Sequence, residues 1–144
     1  MTQSLYTPEL ANRALPLVRR IVEDIVRDHT AWLARVQEYE AAAAAATAGS
    51  DDVATARADA LQRDVQRLAS QVAACVAELT ALGVEAKALD IGLVDFPGEI
   101  DGAPACLCWK LGEPAVAWWH RPDAGFAGRQ PLPGVALPAA EASA

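Results

Sequence analysis

The chain has 144 residues, the size of one ordinary domain, and 33 of its apolar residues are alanine, so the remainder suffices for one modest core and not two. Lys and Arg number 12 against 19 Asp and Glu, a net charge of −7. That balance argues against a phosphate-neutralising nucleic-acid binder and against adhesion to anionic membranes. No stretch offers about 18 consecutive strongly apolar residues, so no transmembrane span is expected. The start, Met1-Thr2-Gln3-Ser4, has neither a basic region nor an apolar one, so export is not expected. Three cysteines make a poor disulfide framework, and a reduced, cytoplasmic protein is the natural expectation.

The first half reads as two long helices. Thr7-Pro8-Glu9 is a helix start: a hydroxyl cap, a proline whose missing N–H costs nothing, and an acid at the positive end of the dipole. Pro16 lies about two turns further on and predicts a kink or a short first segment. Beyond it Val18, Ile25, Trp32 and Tyr39 recur every seven residues, with Ile21 and Val36 beside them, which makes one apolar stripe. Asp28 and His29 interrupt that stripe, as register-setting polar residues do. The run 41–46 is all alanine and continues the helix on propensity alone.

Thr47-Ala48-Gly49-Ser50-Asp51-Asp52 is a break with good caps for a second helix. In that helix Leu61, Val65, Leu68, Val72, Cys75, Leu79 and Leu82 alternate four- and three-residue steps, the seam of a coiled coil or helical hairpin. Gly83 then ends it as a left-handed residue. Each arm should be about 45–55 Å long at 1.5 Å per residue. A compact domain needs less, so part of the hairpin should protrude or pair with a second copy. A homodimer through the helices is therefore expected.

From Val84 short apolar stretches alternate with Gly, Pro and Asp, which predicts strands over 84–89, 92–96, 104–110 and 115–120. Turns are predicted at 97–102 and 111–114. A glycine-punctuated loop fills 121–131, and 132–144 reads as a disordered tail. The fold class is thus α+β: a long antiparallel helical hairpin followed by a small antiparallel sheet of three to four strands packed on the helices. Residues 1–131 form one domain, with the hairpin at 5–83 and the β unit and closing loop at 84–131.

A turn at 111–114 makes Lys110 face Ala115, Trp109 face Val116 and Cys108 face Ala117. Alternation then puts Leu107, Trp109, Val116, Trp118 and His120 on one face, and Cys106, Cys108, Lys110, Ala117 and Trp119 on the other. In that register zinc held by Cys106, Cys108 and His120 is disfavoured, because the sulfurs and the imidazole point in opposite directions. The cysteines read as small core side chains, and Cys75 as part of the helical seam.

Several longer motifs are specific in combination. They are Tyr6-Thr7-Pro8-Glu9-Leu10-Ala11-Asn12-Arg13-Ala14-Leu15-Pro16, Gly92-Leu93-Val94-Asp95-Phe96-Pro97, Leu107-Cys108-Trp109-Lys110-Leu111-Gly112-Glu113-Pro114, Trp119-His120, and Gly125-Phe126-Ala127-Gly128-Arg129-Gln130-Pro131. Together, over about residues 5–132, they resemble the uncharacterised bacterial domain-of-unknown-function family numbered 2203. The resemblance implies no reaction and no cofactor.

The polar members of these motifs make the candidate site: Asp95, Lys110, Glu113, His120 and Arg129, with Trp109 or Trp118 as a wall. A carboxylate inside an apolar strand needs a partner, His120 can be a base or a ligand, and Arg129 on a glycine loop suits capture of a carboxylate or phosphate. An oxygen/nitrogen metal set of Asp95, Glu113 and His120 is chemically reasonable too. On the structural side, Asp95 with Arg129 can be an ion pair, Glu113 a turn cap and His120 a donor to a backbone carbonyl. No phosphate-binding glycine loop, nucleophile elbow or His-Glu-x-x-His helix is present. The expected function is therefore binding of a small anionic ligand or a metal ion at the sheet–loop end, with catalysis left open. The other reading is a non-catalytic oligomerisation or adaptor module in which the same residues act structurally.

Overall fold

A computed structural model describes residues 5–49 and 52–135. The chain start, on which the expectation about export rests, and residues 136–144 of the expected tail lie outside them.

Helix α1 runs from Pro8 to Ala48, 41 residues. Thr7 Oγ1 accepts the Leu10 N–H at 3.1 Å, and Pro8 occupies the first turn, so the start forms as its cap chemistry dictates. Pro16 is carried inside this one helix and does not divide it. Helix α2, Asp52–Ala81, returns alongside. Gly83, at φ +80°, turns the chain out of it, and the Tyr6 hydroxyl donates to the Leu82 carbonyl at the same end.

Five antiparallel strands follow in the order β1 (Glu85–Ala88), β2 (Leu93–Ile100), β3 (Ala103–Lys110), β4 (Trp118–His120) and β5 (Gln130–Pro131). The architecture is the α+β one expected, with five strands in place of three to four. The fifth strand comes from the closing loop, whose Gln130 and Pro131 pair with Trp119 and Trp118.

Two local departures shape the sheet. The β2–β3 turn is only Asp101-Gly102, both left-handed at φ 52° and 79°, the two-residue form that matches strand twist. Pro97 therefore lies inside β2 and not in a turn over 97–102; its carbonyl accepts the Tyr6 N–H at 2.7 Å. Gly98 is needed there, since a Cβ would stand 2.7 Å from the Tyr6 carbonyl oxygen.

The second departure involves Asn12 of α1. Its Oδ1 accepts the Val116 N–H at 2.8 Å and its Nδ2 donates to the Val116 carbonyl at 3.0 Å. Residues 115–117 consequently leave the ladder, and β4 begins only at Trp118. The observed partners are Cys106 with His120, Leu107 with Trp119 and Cys108 with Trp118, one residue away from the expected register. A one-residue slip turns every side chain of a strand over. His120 thus shares a face with Cys106 and Cys108, against the expectation that they look in opposite directions.

The core lies between the helices and one face of the sheet. Val94, Phe96, Leu107 and Trp109 pack there with Val18, Val22 and Ile25 of α1 and Val72 and Leu79 of α2. Leu132 joins it, 2% exposed, with its N–H donating to the Ala117 carbonyl. At the far end of the hairpin a small separate cluster holds Ala42, Ala58 and Leu61 with Tyr39 against them. No helix of the described residues is long and apolar enough to cross a membrane.

Candidate functional site

The sheet face turned away from the helices collects the polar residues. Asp95 pairs with Cys108 across β2–β3, and His120 pairs with Cys106 across β3–β4, so all four project to that side. Asp95 and His120 stand two strands apart, yet their side chains meet over β3. His120 Nε2 lies 3.0 and 3.1 Å from the two Asp95 oxygens. The residues are 3% and 4% exposed. The other ring nitrogen, Nδ1, lies 2.7 Å from the Arg121 carbonyl oxygen.

A carbonyl only accepts, so Nδ1 donates to Arg121, and Nε2 faces the Asp95 carboxylate. Cys108 stands opposite Asp95 in the ladder, its thiol on the same side. Burial, opposed by the charge of Arg129 and assisted by Asp95, pushes that thiol up to about 12. Cys106 is half-buried, and burial first, Asp95 second, raises its thiol as well.

One ligand atom from each of Asp95, Cys106 and His120 lies within 4.8 Å of the others. Ligands around a tetrahedral zinc ion, at bonds of about 2.0–2.3 Å, are about 3.3–3.8 Å apart. Small side-chain adjustments would therefore close the set on an ion. His120 already donates its second nitrogen to a backbone carbonyl, the arrangement that orients a metal-bound histidine.

A second buried pair lies beside the first. Glu113, 6% exposed, accepts the Lys110 backbone N–H and an Arg129 Nη2 hydrogen, each at 2.8 Å. The Arg129 guanidinium is held between the rings of Trp118, at 5.0 Å, and Phe126, at 4.7 Å. Its Nε is enclosed with no hydrogen-bond partner. Lys110 places its ammonium 5.4 Å from the Phe126 ring.

Of the seven residues singled out from sequence, six therefore gather on this face: Asp95 with His120, and Glu113 with Arg129 and Lys110, Trp118 forming the wall against Arg129. Arg129 pairs with Glu113 and not with Asp95, and Glu113 caps the turn by accepting the Lys110 N–H. Trp109 lies on the opposite face, buried in the main core, its Nε1 donating to the Glu113 carbonyl at 2.9 Å. Cys106, which sequence reasoning set aside because the expected register turned it away from His120, stands where Glu113 was expected in the metal set. No local signal marks it, because the register is set by Asn12 of α1 holding Val116 out of the ladder. An open groove of about 490 Å³ is lined by Pro104, Trp119, Arg121 and Pro122 among others, and by none of the candidate residues.

The profile of a family described as an uncharacterized conserved protein, DUF2203, matches residues 4–132. No curated protein and no solved structure matches the chain.

Proposed function

The chain belongs to the DUF2203 family, and from the geometry of its buried polar face we propose that it binds a zinc-class divalent ion through Asp95, Cys106 and His120. The supporting observation is the meeting of an oxygen, a sulfur and a nitrogen donor within 4.8 Å, with the imidazole already oriented by the Arg121 carbonyl. A borderline-soft ion suits that mixed donor set. Three protein ligands leave a fourth position for water or another molecule, as open zinc sites do. Binding would displace the Cys106 proton, so affinity should rise with pH.

Calorimetric zinc titration with elemental analysis after dialysis tests this. One equivalent retained by the native protein and lost in Cys106→Ala and His120→Ala is the expected result. Equal retention by Cys106→Ala, or no stoichiometric zinc in the native protein, overturns it.

A second reading is favoured by a specific observation: buried Asp95 with His120, and buried Glu113 with half-buried Arg129, are hydrogen-bonded as they stand. In that reading the residues only pin the closing loop, and the chain is a non-catalytic oligomerisation or adaptor module. The same zinc titration separates the two.

We further propose that two copies pair through the hairpin, in the cytoplasm, where the three free thiols stay reduced. Beyond Asp28 the buried positions of α1 thin to Ala42 alone, and Leu33 is 43% exposed. A second hairpin would cover that surface. Sedimentation equilibrium showing only monomer at micromolar concentration would remove the dimer.

A further inference from the structure

We propose that the open groove between the β2–β3 turn and the segment after β4 binds a free basic α-amino acid. Arg121 takes its carboxylate, and Asp101 and Asp123 take its two cations. The groove holds about 490 Å³, within the range of small-ligand sites. Its apolar walls are Trp119, Pro104 and Pro122, and the three charged residues line it with them. None of the metal-set residues lines it, so amino-acid binding and metal binding are separate properties of the chain.

The charges of this groove do not neutralise one another. Arg121 and Asp123 are two residues apart, and Asp101 lines the same space. Yet among the described residues no ion pair or side-chain hydrogen bond engages any of the three. One guanidinium and two carboxylates thus line a ligand-sized space with both signs of charge available. A matching ligand carries one anion and two cations. A basic amino acid does so, with an α-carboxylate, an α-ammonium and a side-chain cation. An inorganic anion would meet two carboxylates, a diamine would leave Arg121 unmatched, and an apolar molecule would leave all three charges unmatched.

The walls are fixed before a ligand arrives, which lowers the ordering cost of binding. The Arg121 carbonyl accepts from His120 Nδ1 at 2.7 Å and from the Ala124 N–H at 3.0 Å. Pro122 disfavours helical backbone at Arg121. Asp101 and Gly102 form the tight two-residue turn, so Asp101 sits on a rigid hairpin. Trp119 pairs with Leu107 and Gln130 in the sheet and packs partly against the main core. An indole suits the aliphatic stem and cation of a basic side chain, and the guanidinium fork of Arg121 suits a carboxylate.

The experiment titrates the isotope-labelled full chain with L-arginine at constant ionic strength and follows the Trp119 indole N–H resonance, assigned by its loss in Trp119→Phe. That resonance should shift saturably. Arg121→Ala should weaken L-arginine binding about ten-fold, the loss of one charge-assisted hydrogen bond, and Arg121→Lys should restore part of it. Asp101→Asn combined with Asp123→Asn should weaken binding at least as much. Agmatine, which lacks the carboxylate, should bind the native chain about ten-fold more weakly than L-arginine does, and equally in Arg121→Ala. N-acetyl-L-arginine, which lacks the α-ammonium, should also bind more weakly. An unmoved Trp119 resonance or native affinity in Arg121→Ala overturns the site. So does agmatine or N-acetyl-L-arginine bound as tightly as L-arginine.

Discussion

Toward the helices the sheet presents Val94, Phe96, Leu107 and Trp109, none more than 1% exposed; away from them it presents Asp95, Cys108 and His120, none more than 4% exposed. The depth is similar and the means differ. On the first side two helices exclude water from apolar surface, and the stabilisation grows with the area covered. On the second the cover is a single loop whose residues 121–127 are all exposed. Charged groups remain dry there only because each has a partner. A face that gains little from its burial, and whose carboxylates and imidazole are nonetheless hydrogen-bonded, is where a binding site is to be sought in this fold.

The comparison is broken or sharpened most strongly by truncation on the helix side. Trp109→Ala should cost about 3–5 kcal/mol in denaturant unfolding, the range for a large aromatic removed from a packed core. It should do so with or without zinc.

On the loop side the pattern should be non-additive. Asp95→Leu or His120→Leu alone should cost about 3 kcal/mol in metal-free protein, because each leaves a buried polar partner unmatched. The double variant should be less destabilised than either single one, since replacing both members of a buried pair can be close to neutral. Costs that simply add in the double variant would show that this face, too, is held by packing.

The hairpin was legible because its signal is local and repeated. Leu61 to Leu82 keep a seven-residue period, and Thr7-Pro8 and Gly83 carry their own conformational reasons for starting and stopping a helix. Strand existence was legible from composition as well. Register was not, since the loop before β4 is drawn out by Asn12, 104 residues away from Val116 in sequence. No alternation within the strands carries that information, and the slip of one residue hid Cys106 from the candidate site. Likewise Pro97 looked like a turn residue, although Asp101-Gly102 supplied the tighter one. The polar set was found because buried charges in apolar strands need partners. Their pairing was not, because Arg129 had two carboxylates within chemical reason and only the loop path selects Glu113.

The smallest effect separates the faces by pH. The Cys108 thiol is raised from 9.0 to about 12 in the folded protein, chiefly by burial. In the unfolded chain it ionises near its ordinary value, so the unfolded state loses a proton that the folded state keeps. The stabilisation from holding the thiol neutral is complete below pH 9 and declines between pH 9 and about 12. Above pH 9 the native protein should therefore lose stability more steeply than Cys108→Ala, by up to about 1.4 kcal/mol per pH unit for one proton. Urea midpoints at pH 8 and pH 10 measure it. The Cys106 and Cys75 thiols, also raised, and Tyr6, likewise raised by burial, contribute equally to both proteins and cancel in the difference. Leu107→Ala, beside Cys108 in sequence but on the helix side, should shift both midpoints by the same free energy, because no proton is linked to an apolar side chain. If Cys108→Ala keeps the native slope, the thiol is already in contact with water, and the loop does not seal the polar face.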